Sequence, residues 1–179
     1  MKKILVIALS ALTSLAFADN DKVLESIKPN AQTGKAAKTA VAWQNDNDAA
    51  LAKATADGRL AAFVKDEASA KALLSKVKGA YLTDPMAAIT IAAVSQYVVK
   101  PCKSCCLEKA RAVWTKALID TARSATDAYV AQFCIDQLRW CGCPSQAKLV
   151  REAAAGKSGE VVALAEMAAK ELEGKSLGR

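Results

Sequence analysis

The sequence predicts an all-α protein built from antiparallel helical hairpins. Three observations favour this fold class. Alanine is abundant, so helix propensity is high along most of the chain. Apolar residues recur at intervals of three and four positions, which is typical of one buried helix face. No segment shows the strict alternation of apolar and polar residues that a half-buried strand would have.

Residues 1–18 have the three parts of a cleaved signal peptide. Lys2 and Lys3 give a positive start, residues 4–15 are largely apolar, and residues 16–18 (Ala-Phe-Ala) place small side chains before the cut. The apolar run is shorter than the roughly 20 residues that cross a bilayer. The sequence therefore predicts a periplasmic or extracellular protein with no stable membrane anchor after cleavage.

Cleavage would leave 161 of the 179 residues, which is the size of one domain. We expect a polar, alanine-rich, helical N-terminal segment at 19–58 and a helical-hairpin domain at 59–179. The leader holds two lysines, so its loss lowers the net charge from +7 to +5. Basic and acidic residues are interspersed, which indicates a solvated mixed surface and no nucleic-acid partner.

The hairpin domain divides into three predicted helix pairs, at 66–98, 106–140 and 145–173. Asp84 and Pro85 predict a helix start, because a capping carboxylate precedes a proline in the first turn. The second helices begin near Pro85, Asp127 and Glu160. Pro101 is expected to end the first pair and Cys141-Gly142-Cys143-Pro144 the second, and Ser145 to cap the helix that follows.

Residues 127–138 (DAYVAQFCIDQL) and 160–172 (EVVALAEMAAKEL) resemble the second helix of HEAT-like repeats. The resemblance covers about the last hundred residues, although the Asp-Val-Arg run that such repeats often carry is absent. The resemblance implies hairpins stacked as a short α-solenoid, with a concave protein-binding surface and no catalysis. An irregular helical bundle is the alternative architecture.

All six cysteines lie between residues 102 and 143. An even number of cysteines in an exported protein predicts disulfides. In a hairpin that turns near residues 124–125, residues whose numbers sum to about 249 lie side by side. Cys106 is then level with Cys143, and the preceding loop brings Cys102 and Cys105 near Cys141.

Cys134 falls opposite Thr115, roughly three turns from that end of the hairpin. A disulfide needs its α-carbons within about 7 Å, so we expect Cys134 to be a buried thiol. The prediction is two disulfides that staple the open end of the hairpin, with the connectivity left open. They join one group, Cys102, Cys105 and Cys106, to the other, Cys141 and Cys143.

Two other roles for the cysteines remain open. Residues 140–144 (WCGCP) resemble the active-site stretch of thioredoxin-like proteins with one residue fewer between the cysteines, and Cys102 and Cys105 have the usual spacing. This pattern suggests thiol–disulfide exchange. The same Cys-x-x-Cys and Cys-x-Cys motifs offer thiolates to zinc or copper(I).

The chain contains no histidine, which excludes histidine-based nucleophile activation and histidine-ligated zinc. No phosphate-binding glycine motif occurs. We therefore assign no catalytic, cofactor-binding or metal-binding residue and expect no cofactor. The predicted function is an exported, non-catalytic protein-interaction or scaffold module with a macromolecular partner, most simply a protein. The alternative is a cysteine-centred redox or metal-binding protein outside the cytoplasm.

The larger aromatic residues occur mostly at the helical spacing of a core. The default prediction is that they pack inside the protein: Trp43, Tyr97, Trp114, Tyr129, Phe133 and Trp140.

Overall fold

The structure is a computed structural model that describes residues 51–78, 85–99 and 108–175. Helix α1 covers residues 51–56 and is followed by a 3-10 helix, Arg59–Val64. The next helices are α2 (Glu67–Leu74) and α3 (Pro85–Ala93), which continues as a π-helix, Val94–Val99. The chain then forms α4 (Lys109–Ser124), α5 (Ala128–Cys141), a 3-10 helix (Pro144–Gln146), α6 (Ala147–Ala153) and α7 (Gly159–Gly174).

The predicted all-α class is confirmed, since the described residues contain helices and no strand. The predicted signal peptide at 1–18 and most of the N-terminal segment, including Trp43, lie outside the described residues. So do Asp84 and Pro101. Within the described ranges, no helix has the length and apolar character that crossing a membrane would require.

Two aspartates are N-cap residues, and the side chain of each accepts a hydrogen bond from a backbone amide in the first turn of its helix. An Asp66 carboxylate oxygen accepts a hydrogen bond from the Ser69 amide at 2.7 Å, and this bond is the main reason why the pKa of Asp66 is lowered. Asp127 accepts from the Tyr129 amide at 2.8 Å in the same way and starts α5. Each carboxylate satisfies an amide that has no partner within its own helix.

The second half of the helix that begins at Pro85 differs from the regular α-helix predicted there. Residues Val94–Val99 form a π-helix. The Ser95 hydroxyl donates to the Ile91 carbonyl at 3.0 Å, and a side chain that bonds into the backbone ladder is a known cause of local distortion.

The prediction that Ser145 is the N-cap residue of the following helix is wrong. This residue lies inside the 3-10 helix, and Gln146 is the residue that precedes α6.

The hairpin α4/α5 lies at the centre of the described structure. Trp114 of α4 is completely buried, and its indole Nε1 donates to the Ser95 hydroxyl at 2.9 Å. The same hydrophobic core also includes Leu51 and Ala54 of α1. The packing of the hairpins therefore extends to residues on the N-terminal side of position 59.

The helices are neighbours in a regular pattern. Besides the contacts within each hairpin, α4 contacts both α2 and α6. In the same way, α5 contacts both the π-helix that ends α3 and α7. The first helices of the three pairs thus neighbour one another, and so do the second helices.

The chain leaves α5 at Gly142, whose backbone is tightly packed. The Gly142 amide donates to the Leu138 carbonyl at 2.8 Å. A β-carbon at Gly142 would lie 2.5 Å from that carbonyl oxygen and 3.1 Å from Leu172 Cδ2 of α7. Both distances are shorter than van der Waals contact, so a larger residue would require a shift of the backbone at Leu138 and a small movement of the Leu172 side chain.

We expect Gly142→Ala to destabilise the protein by about 1–3 kcal/mol, because the added methyl group overpacks the junction of α5 and α7. Thermal unfolding followed by circular dichroism measures this change. Gly174→Ala is the matched control, since a β-carbon there meets no atom within 4 Å. Equal melting temperatures for the two variants would contradict this account of Gly142.

Candidate functional site

Contacts at the open end of the hairpin α4/α5 show whether its two helices have the predicted antiparallel register. Arg111, near the start of α4, donates from Nη1 to the carbonyl of Cys141, the last residue of α5, at 2.9 Å. The two residue numbers sum to 252, which agrees with the predicted sum of about 249. We call this end of the hairpin, defined by Arg111, Cys141 and Cys143, the cysteine end.

The second amino group of the Arg111 guanidinium binds the end of the π-helix. Nη2 of Arg111 donates to the Val99 carbonyl at 3.2 Å. Arg111 is only 5% exposed, so this bridge between Val99 and Cys141 is inside the protein. The chain segment that contains Cys102, Cys105 and Cys106 leaves the described structure after Val99 and re-enters it at Glu108. These three cysteines lie outside the described residues.

A chain of buried hydrogen bonds fixes the backbone on the other side of Gly142. The Cys143 amide donates to the Gln146 side-chain oxygen at 2.9 Å. The Gln146 amide nitrogen donates to the Thr115 hydroxyl at 2.6 Å, and that hydroxyl donates to the Arg111 carbonyl at 2.7 Å. Because buried polar groups are costly when unsatisfied, these bonds hold Cys141 and Cys143 in one arrangement.

Lys175, which directly follows α7, binds the carbonyl groups at the end of α5. Its ammonium group donates to the carbonyl oxygens of Arg139, Trp140 and Gly142 at 2.5, 3.2 and 3.4 Å. Carbonyls at the end of a helix carry partial negative charge, so a cation there stabilises the end of α5.

The three described cysteines are free thiols, and all three are buried: Cys134, Cys141 and Cys143. The structure thus places Cys134 in the core, 1% exposed, away from the cysteine end. No disulfide joins any of these three thiols to another. Within the described part of the chain, no cluster of three or more candidate ligand residues is arranged around a metal position.

Burial makes the Cys141 thiol a poor nucleophile. Desolvation raises its pKa to about 12, although a hydrogen bond with Ser95 and the positive charges of Lys175 and Arg111 act in the opposite direction. Reactive cysteines have lowered pKa values and are at least partly exposed. The free thiol of Cys141 therefore has neither property of a redox-active cysteine.

The prediction that the larger aromatic residues pack in the core is wrong for three of them. Trp114 is buried, but Tyr97, Tyr129 and Trp140 are 54, 55 and 51% exposed. Tyr129 and Trp140 are eleven positions apart, which brings them to the same side of α5. The sequence contained this signal, because that side is opposite the one that carries Cys134 and Leu138.

An open groove lies beside Tyr97. Its volume is about 550 Å³, and it is lined by one tyrosine and four residues of α1: Leu51, Ala52, Thr55 and Ala56. Among the described residues, the lining is apolar apart from two hydroxyl groups, and the Thr55 hydroxyl donates to the Leu51 carbonyl of its own helix at 2.8 Å. This described part of the groove offers a surface for an apolar side chain.

Comparisons of the chain with models of protein families, with curated proteins and with solved structures find no match. The HEAT-like resemblance therefore stays a prediction.

The buried thiol of Cys134 should make the stability of the folded protein depend on pH in the alkaline range. Desolvation raises its pKa from 9.0 to about 12 in the folded protein. Above pH 9 the unfolded chain loses this proton while the folded chain keeps it, so stability falls as pH rises towards 12. Between pH 8 and 10.5 the thiol should account for a loss of about 2 kcal/mol.

Urea unfolding in the presence of a phosphine reductant measures this loss at both pH values. Cys134→Ala is the comparison, because its cavity cost does not depend on pH whereas the thiol titration is removed. The wild-type protein should lose more stability than the variant over this range. Equal losses would mean that the Cys134 thiol ionises as readily in the folded protein as in the unfolded chain.

Proposed function

We propose that this chain is an exported, non-catalytic α-solenoid of three stacked hairpins that binds another protein through the surface of its second helices. The observation that carries this proposal is the distribution of exposed apolar side chains. Of the six large apolar residues that are clearly exposed in the described chain, five belong to second helices: Tyr97, Tyr129, Trp140, Val162 and Met167. The sixth, Leu149, is in a first helix.

Stacking of the first helices is supported by two contacts between α2 and α4. Lys116 donates to Glu67 at 2.8 Å. One turn further along both helices, Lys71 pairs with Asp120 at 3.1 Å. Since the residue numbers rise together in both helices, α2 and α4 run parallel, as equivalent helices of successive repeats do in a solenoid.

The second helices α5 and α7 are parallel by the same criterion. Near their starts, the Gln132 side chain donates to Glu160 at 3.5 Å. Near their ends, Arg139 makes a two-bond contact with Glu171, with both distances 2.8 Å. Parallel α2 and α4, parallel α5 and α7, and the antiparallel pair α4/α5 are the directions that stacked hairpins would have, which favours a solenoid over an irregular bundle.

The two layers of helices differ in surface chemistry. The exposed side of α2 and α4 carries an ion-pair cluster formed by Glu67, Lys71, Lys116 and Asp120. Charged groups that neutralise one another give a solvated surface. The exposed side of α5 carries Tyr129 and Trp140, residue types that are enriched at the centres of protein interfaces. We therefore place the partner on the second-helix layer.

The complete burial and raised pKa of Cys141 in the folded protein oppose a redox-active role, so they favour binding over thiol–disulfide exchange. We propose that oxidation takes place after export, before the chain has buried these thiols, and joins Cys141 and Cys143 to two of Cys102, Cys105 and Cys106. Such disulfides would stabilise the open end of the central hairpin α4/α5.

Site-specific photocrosslinking in the native host tests the binding surface. A benzoylphenylalanine at position 129 or 140 replaces an exposed aromatic residue by another and should trap one discrete protein partner. Lys116 and Leu149 on the first-helix layer are the control positions, since they are also exposed. We expect little or no crosslinked product from either control.

Two outcomes would contradict the proposed surface. The first is no crosslink from positions 129 and 140 in protein that is folded and exported. The second is equal crosslinking from both layers, which would indicate contacts without a preferred face. With the crosslinker at position 129, loss of the discrete product on Trp140→Ser substitution, in a variant of unchanged melting temperature, would support the proposal further.

A further inference from the structure

We propose that the protein partner of the second-helix layer places an arginine side chain beside Trp140, where its guanidinium stacks on the indole and binds Asp136. This inference rests on the proposed binding function and names the chemistry that the surface selects. We call this place the Trp140 site. It consists of four residues of helices α5 and α7: Asp136, Arg139, Trp140 and Glu171.

Trp140 presents an accessible aromatic ring next to an open space. The residue is 51% exposed in the last turn of α5. A cavity of about 250 Å³ lies beside it and is lined by one aromatic and three charged residues: Trp140, Arg139, Glu171 and Lys175. The face of an indole attracts a cation within about 6 Å of the ring. The cavity therefore gives a cationic side chain access to this ring.

The Trp140 site has more negative than positive charge. Arg139 donates from Nε and from Nη2 to the two carboxylate oxygens of Glu171, both at 2.8 Å. Its remaining amino group, Nη1, donates to Asp136 at 2.9 Å. One guanidinium thus serves two carboxylates, so these three side chains carry one net negative charge. An incoming cation would neutralise it.

Lys175 also lines the cavity, but its charge is directed at the end of α5. Its ammonium group donates to the carbonyl oxygens of Arg139, Trp140 and Gly142. The carbonyls that end a helix together carry about half a negative charge, which Lys175 offsets. Beyond this, Lys175 lies near Glu171, whose pKa is lowered mainly by its hydrogen bond from Arg139 and to a smaller extent by Lys175.

Asp136 is therefore the carboxylate of the site that a partner's cation would meet. Its side chain is 42% exposed and receives one of the three bonds from Arg139, whereas Glu171 receives two. Asp136 and Trp140 are four positions apart on α5, which makes them neighbours on one side of the helix. A single group in the cavity can thus contact the carboxylate and the indole together.

Hydrogen bonding favours a donor over an acceptor as the incoming group. Arg139 already uses three of its N–H groups on carboxylates, and Lys175 donates to backbone carbonyls. A partner's carboxylate would have to compete for these donors. The carboxylate oxygens of Asp136 have further lone pairs, and a guanidinium is a planar donor that also stacks on aromatic rings. Arginine combines both contacts, and it is enriched with tryptophan at the energetic centres of interfaces.

Titration of the mature protein with short peptides tests this preference without knowledge of the partner. The probes are acetyl-Ala-Arg-Ala-amide and the same peptide with citrulline, which has the shape of arginine and no charge. The indole N–H signal of Trp140 is followed by two-dimensional NMR and assigned with a Trp140→Phe variant. Trp114 is an internal reference, because its indole is buried and bonded to Ser95.

The arginine peptide should shift the Trp140 signal towards saturation and leave the Trp114 signal unchanged. At equal concentration the citrulline peptide should give a shift that is smaller by about threefold or more, because it cannot make a charge-assisted bond. Asp136→Asn should reduce the shift by the arginine peptide by about the same factor. Its matched control is Asp120→Asn, which removes an exposed, lysine-paired aspartate of the first-helix layer and should change nothing.

Three results would overturn the inference. The first is equal shifts by the arginine and citrulline peptides. The second is an unchanged response of the Asp136→Asn variant at an unchanged melting temperature. The third is a larger shift by acetyl-Ala-Glu-Ala-amide, which would show that Arg139 and Lys175 make the site select anions.

Photocrosslinking from position 129 separates this inference from the proposed function. A discrete partner product whose yield falls by about threefold or more on Asp136→Asn substitution, with an arginine near the crosslinked residue of the partner, supports both. A product whose yield does not depend on Asp136 leaves the binding surface in place and overturns the arginine contact. If no product forms in folded, exported protein, the proposed function fails and the inference about its partner fails with it.

Discussion

The buried guanidinium of Arg111 is the interaction on which the cysteine end depends. A charged group inside a protein is costly unless its donors are satisfied, and here two of them bind the carbonyl groups of Val99 and Cys141. One carbonyl is at the end of the π-helix and the other is at the end of α5. The Arg111 side chain of α4 therefore joins these two ends, in addition to the direct contacts between the π-helix and α5.

The proposed layered arrangement depends on the same central hairpin. Because α4 contacts the first helices α2 and α6, and α5 contacts the π-helix and α7, we propose that the first and second helices form two layers with separate outer surfaces. Lysine and aspartate on α2 and α4 neutralise each other across one layer. Exposed aromatic and sulfur-containing side chains mark the other layer, most clearly Tyr129, Trp140 and Met167. This difference between the two surfaces is the physical basis of the proposed binding role.

Much of the fold could be predicted because it depends on local signals. Pro85 begins a helix, and the register of the central hairpin follows from the length of its turn. Side-chain exposure could not be predicted equally well, since helical spacing identifies an apolar face without showing which residues another helix covers. For that reason the helical spacing of Tyr97, Tyr129 and Trp140 predicts core positions, although all three residues are exposed. Nothing local in the sequence indicated that Arg111 is buried, because its partners are 12 and 30 positions away.

The most direct test of the cysteine end is tryptic mapping of the natively purified protein without reduction. Cleavage after lysine and arginine gives one peptide, residues 140–148, that contains both Cys141 and Cys143, whereas Cys105 and Cys106 are in residues 104–109. Mass spectrometry should find residues 140–148 covalently joined to residues 104–109, to the peptide containing Cys102, or to both. Recovery of residues 140–148 with two free thiols, with an internal disulfide, or joined to Cys134 would contradict the account.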